Sequence, residues 1–299
     1  MAQSKSFFGL RRGSTKTLTF SVYNGKQVTK DRVADVKNPR SAMQMKQRAI
    51  MATALHGYSA LKEICDHSFE GVAYGQKSMN YFVAENARMI RSAAPNVNLS
   101  LYKGNSVSNA YIIAKGSLNE IPLLIQEDTG RKYFMISIKA MSATTTFADF
   151  MSNFGATQVG DMVTFVNLID NPGGNASMYF VRLNLTEKNK SKIVGSAESD
   201  GEILTMLQEG IDYDTNIDNF DTVDFPLSWN GTTLYIGEGT LSSNPVPQSM
   251  GVILSRKSDT GWLRSSSTMK NLLDNTWNYA DALASYPESG EKILNGGNV

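Results

Sequence analysis

A single cysteine, Cys65, excludes an internal disulfide framework and a cysteine-rich zinc site. Two histidines, His56 and His67, leave little to build a histidine-based metal centre. No run of about 18 apolar residues is present, so the sequence predicts no membrane-spanning helix. The first ten residues hold no long apolar stretch, so no secretory signal is expected and the reading is cytoplasmic or virion-associated. No phosphate-cradling glycine motif with its lysine, no G-x-S-x-G elbow and no H-E-x-x-H pair occurs. The expectation is therefore a non-catalytic protein with no cofactor, no metal and no small-molecule substrate.

What is present is a globular composition with an uneven charge distribution. Of 299 residues, 41% are hydrophobic and 19% charged, too apolar for a disordered chain. The length suits one large domain or two smaller ones. The net charge of +1 conceals three unlike segments. Residues 1–50 hold 11 Lys or Arg against 2 Asp, a net +9. Residues 51–100 are balanced at 4 against 4, and residues 101–299 hold 14 basic and 22 acidic groups, a net −8. Such asymmetry points to a polyanionic partner for the basic part.

The residue periods change along the chain. The first 15 residues, with Gly9, Arg11, Arg12 and Gly13, read as a basic flexible arm. Leu18, Phe20 and Val22 alternate before Asn24-Gly25, a strong hairpin signal because both residues tolerate the positive φ of a tight turn. Asn38 and Pro39 read as a helix start, and the helix is expected to run to about Cys65 with Gly57 as a soft point. Ile50, Ala54, Leu61 and Ile64 follow helical spacing and should face a core. A second helix is predicted over 78–90, with Met79, Phe82, Val83 and Ile90 on one face. Beyond Pro95, segments 110–115, 121–125, 133–139, 160–168, 177–185, 232–236 and 251–256 read as strands, and 170–175 as a turn. Twenty-four asparagines fit a loop-rich β protein. Short helices are expected at 147–154, 202–209 and 267–286, and a frayed tail at 295–299.

The predicted class is α+β: an N-terminal β-hairpin plus two-helix module over 1–95, then an acidic, β-rich, sandwich-like body over 96–299. That body is expected to divide into two sub-domains near 195–225.

Val36-Lys37-Asn38-Pro39-Arg40-Ser41, followed by Gln44 and Gln47-Arg48, resembles the pattern V-K-N-P-R-T-x-x-Q-x-x-Q-R. That pattern belongs to an uncharacterised family of hypothetical proteins from Bacteroidota, their phages and mobile elements. Asn24-Gly25-Lys26, Phe69, Phe82, Asn86 and Lys115-Gly116-Ser117-Leu118 extend the resemblance across about the first 120 residues. Ser41 replaces the family's threonine, and the β half matches only loosely. The resemblance implies a bacterial or phage origin and a two-part architecture, and carries over no activity.

The candidate nucleic-acid-binding residues are Arg11, Arg12, Lys37, Arg40, Gln44, Gln47 and Arg48. Lysine and arginine neutralise phosphates and release counterions, giving salt-sensitive binding without sequence preference. Arg40, Gln44, Gln47 and Arg48 fall at i, i+4, i+7 and i+8, a single polar helical stripe suited to phosphate or base-edge contacts. The competing reading is a solvated helix face and an arm paired with the chain's own acidic half. No recognised nucleic-acid-binding signature is present.

His56 and Cys65 on one helix stand about 900° apart and so face opposite sides, which argues against a joint metal or nucleophile site. Asp212, Asp214, Asn216 and Asp218 are spaced like the start of a calcium loop, but Ile217 and Val223 occupy the places of its glycine and glutamate. A solvated acidic loop is the expected state, with weak calcium binding through 212–224 left open, as is an Asp-lined catalytic cleft there. Trp262, with Arg256, Lys257 and Arg264, reads as a stacking and cationic patch or as plain packing.

Two non-catalytic functions lead. One is a phage or mobile-element structural protein whose basic region meets nucleic acid while the β body self-associates as a homo-oligomer. The other is a protein-binding or surface-assembly module with no nucleic-acid role.

Overall fold

The computed structural model describes residues 12–23, 26–32, 42–92, 108–128, 131–171, 175–194, 201–202, 211–216, 227–230, 233–239 and 248–272. The chain forms two compact units, 1–44 and 45–299.

The smaller unit is built on an antiparallel sheet of β1 (Gly13–Ser14), β2 (Leu18–Tyr23) and β3 (Lys26–Asp31), in that order. Leu18 pairs with Asp31 and Tyr23 with Lys26, so the expected hairpin forms in the register that a two-residue connection requires. Every residue of β3 is exposed.

Two helices follow, α1 (Ala42–Cys65), which belongs to the larger unit from Met45 on, and α2 (Gln76–Ser92). Gln47 meets Arg91, and Tyr58 packs on Phe82 with ring centroids 5.5 Å apart. Ser78 donates to the Cys65 carbonyl at 2.6 Å, so the two helices run antiparallel. The strands that follow are β4 (Ile112–Ala114), β5 (Leu124–Asp128) and β6 (Arg131–Ser137). The short helix α3 (Phe147–Ser152) precedes β7 (Met162–Asn171) and β8 (Asn175–Asn184). Next come β9 (Gly201–Glu202), β10 (Tyr213–Thr215), β11 (Leu227–Asn230) and β12 (Thr233–Gly239). The last are β13 (Gln248–Ser258), β14 (Gly261–Arg264), β15 (Ser267–Thr268) and β16 (Lys270–Asn271).

The central sheet has the order β10-β8-β7-β13-β14, with β16 also on β13. A second sheet has the order β5-β6-β12-β11-β9, and β15 pairs with β4. The strand period explains how one sheet serves two cores. Successive side chains point to opposite faces. Val163, Phe165, Val181, Leu183, Met250, Val252 and Leu254 face Phe134 and Ile136 of β6 and the phenylalanines of α3. Val166, Leu168, Phe180 and Ile253 face the other way, onto Ile50, Leu61, Phe82 and Ile90 of the helix pair and Tyr111 beside β4. A strand covered on both faces has no solvent side, and residues 163–168 are all buried, Thr164 and Asn167 included.

The architecture is therefore α+β with a β-rich, sandwich-like body, as the sequence predicts. Ile50, Ala54, Leu61 and Ile64 are buried as expected. By packing, α1 and α2 share one core with β7, β8 and β13, across the division expected at 95/96. Two helix expectations are corrected. Gly201–Glu202 is a strand that pairs with β11, and Ser267–Thr268 and Lys270–Asn271 are strands on β4 and β13. The serine-rich run 265–268 is a weak helix former. It gains partners instead: Ser265 N–H donates to the Leu254 carbonyl at 2.9 Å. The remainders of those two segments, the arm at 1–11, the tail at 295–299 and most of 195–225 lie outside the described residues.

Candidate functional site

Arg11, Lys37 and Arg40 lie outside the described residues. Arg12 is exposed ahead of β1, and Lys16, Lys26, Lys30 and Arg32 are exposed on and around the N-terminal sheet. Arg32 is held by one bond from its guanidinium to the Thr15 carbonyl, 3.3 Å long. Gln44 and Gln47 are exposed on the first turns of α1, and Arg48 is half-buried. Gln47 Oε1 accepts from Arg91 of α2 at 3.1 Å. The helical stripe thus gains a cation from the second helix, at a position that depends on the antiparallel pairing.

The soft ligands separate. His56 is exposed. Cys65 is fully buried, and burial pushes its thiol up, against the opposing bond with Ser68. It stays a protonated core residue, far from the thiolate that a nucleophile requires. The aspartates of 212–216 are partly committed. Asp214 lies on β10 and pairs with Arg182 at 3.0 Å. The Asn216 amide accepts from Phe180 N–H at 2.9 Å and donates to the Met178 carbonyl at 2.8 Å, tying the end of β10 to β8. Asp218, Asp221 and Asp224 lie outside the described residues.

The patch around Trp262 divides. Arg256 is committed to the carboxylate of Asp161, which is 1% exposed, through bonds of 2.8 and 2.7 Å. That bonding raises the guanidinium pKa further. Arg264 stays with Trp262, its guanidinium 4.9 Å from the centre of the indole.

Trp262 and Arg264 form one wall of a groove of about 720 Å³. Residues of the α1–α2 connection between Asp66 and Tyr74 also line it, together with Met162, Arg182 and Ser255. Glu70 joins that connection to β14. It accepts from Ser117 N–H at 2.9 Å, from Ser117 Oγ at 3.0 Å and from Arg264 N–H at 3.1 Å. The bond from the Ser117 backbone is the main reason its carboxyl lies below the ordinary value. Arg264 Nε donates to the His67 carbonyl at 3.0 Å. Burial, then the nearby Arg182 cation, lower Arg264 to about 10 in spite of Glu70, so it remains charged at neutral pH. A second hollow of about 670 Å³ shares Asp66, His67 and Arg182 with the first and continues past Lys62 and Asp214. Sequence reading singled out Trp262 but missed this groove.

Comparison with known family models, with curated proteins and with solved structures gave no match.

Proposed function

We propose that the chain is a non-catalytic structural protein of a phage or mobile element. Its basic N-terminal region binds nucleic acid without sequence preference, and its β-rich body self-associates. The observation that carries this reading is the charge distribution: 11 Lys or Arg against 2 Asp in the first 50 residues, with Arg12, Lys16, Lys26, Lys30 and Arg32 exposed. Exposed cations at this density neutralise phosphates and release counterions whatever the base sequence. The resemblance at residues 36–48 supports the phage or mobile-element setting.

Self-association is supported by β5. This strand ends the order of the five-stranded sheet, and its Leu124 and Ile125 are 49% and 40% exposed. Edge strands with exposed apolar side chains favour pairing with another copy. Light scattering on the full chain is expected to give a mass above that of the monomer, and Ile125→Lys to lower it. A monomer at all concentrations contradicts the assembly half. Fluorescence anisotropy with labelled duplex DNA and single-stranded RNA tests the other half: binding at low salt that weakens at high salt supports it. Salt-sensitive association with an acidic protein and none with either nucleic acid favours the protein-binding alternative.

A further inference from the structure

We propose that the groove between the 66–75 connection and β14 binds a neutral oligosaccharide, with Trp262 and Tyr74 as its stacking plates. None of the residues that line this site is among those assigned to nucleic acid, so the inference does not depend on the nucleic-acid reading.

The first argument is aromatic. Trp262 is 42% exposed and Tyr74 is 75% exposed, and both line the hollow. Aromatic faces left in water within a concave site carry an unmet apolar demand, and their electron-rich faces suit the axial C–H groups of a sugar ring. Trp262 is also held in place. Arg264 covers one face of the indole at 4.9 Å; its guanidinium is fixed by the His67 carbonyl and its backbone N–H by Glu70. A plate fixed before binding loses little side-chain freedom on binding.

The second argument is charge. Asp66 and Glu70 offset Arg182 and Arg264 in the first hollow. In the second, Lys62 and Arg182 face Glu63, Asp66 and Asp214. A polyanion gains nothing from a groove with no positive excess. What the lining leaves open is one buried guanidinium N–H of Arg264 that has no partner among the described residues, a donor that a sugar hydroxyl can meet beside the two exposed rings. The third argument is extent. Each hollow falls within the range of about 300–1,000 Å³ typical of ligand sites, and the two share Asp66, His67 and Arg182. A ligand of several linked units fits that continuity better than one compact molecule.

The test is saturation-transfer NMR and tryptophan fluorescence on the full chain. The probes are malto-, cello-, xylo-, manno- and chito-oligosaccharides, with an oligouronate, single-stranded oligodeoxythymidine and a mixed peptide library as comparisons. The proposal expects at least one neutral oligosaccharide to bind at millimolar concentration or below. Trp262→Ala should weaken that binding by about tenfold or more. Tyr74→Ala, at a site too exposed to matter for folding, should also weaken it. Three results overturn the proposal: no neutral oligosaccharide bound at millimolar concentration, binding that neither aromatic substitution alters, or preference for the oligouronate, the oligonucleotide or a peptide.

Discussion

Gly57 sits in the middle of α1, where alanine is ordinarily the better helix former by up to about 1 kcal/mol. A methyl group there would overlap the ring of Tyr111. Tyr111 cannot swing aside: it is fully buried, its hydroxyl reaches the Thr53 carbonyl at 3.4 Å, and Phe82 packs on it at 5.8 Å. Gly57→Ala is therefore expected to destabilise the fold by about 1–3 kcal/mol, read as a lower midpoint in urea unfolding. The apparent soft point in the helix is a docking place for the segment that leads into β4. Glu70 makes a second prediction at this scale. Its folded pKa is lowered, chiefly by the Ser117 backbone bond. Its contribution to stability is complete above the ordinary glutamate value of about 4.3 and is lost as pH falls through the lower folded value. Urea melts between about pH 5 and pH 3 should show a steeper loss for the wild type than for Glu70→Gln. Equal slopes would mean that the three bonds onto Glu70 do not form in solution.

Among the elements, α3 is too short to persist alone and depends on its ends and its packing. Thr146 caps it: Asp149 N–H donates to Thr146 Oγ1 at 3.2 Å, and Thr146 N–H donates back to Asp149 Oδ2 at 3.1 Å. Thr146→Ala should cost about 1 kcal/mol in the same melt, since Phe147 and Phe150 of this helix are buried against the sandwich. Elements of this kind are legible in sequence: the short helix expected at 147–154, the Asn24-Gly25 turn, and the strands expected at 160–168 and 177–185. The two-residue strands β9, β15 and β16 are not. They exist because β11, β4 and β13 lie beside them, and no local propensity encodes a partner. The groove is hidden for the same reason. Its wall contacts join Glu70 to Arg264 across 194 residues. Arg91 escaped notice because its nearness to Gln47 requires α1 and α2 to fold back on one another.

On the scale of the whole molecule, a net charge of +1 is made of a basic N-terminal segment and an acidic body. The central sheet takes helices on one face and a second sheet on the other, with a hydrophobic cluster on each side. Most of the fold class was therefore readable from composition and period. The function was not, because charge names a class of partner and only binding names the partner. No helix among the described residues is long and apolar enough to cross a membrane. The most direct measurement is the salt dependence of binding to duplex DNA by the full chain and by an Arg12→Gln, Lys26→Gln, Lys30→Gln variant. For the wild type, the logarithm of the association constant should fall linearly with the logarithm of salt concentration, by about 0.9 for each phosphate neutralised. The variant should bind more weakly with a shallower slope. Absence of binding at low salt, or a slope unchanged by the three substitutions, contradicts the account.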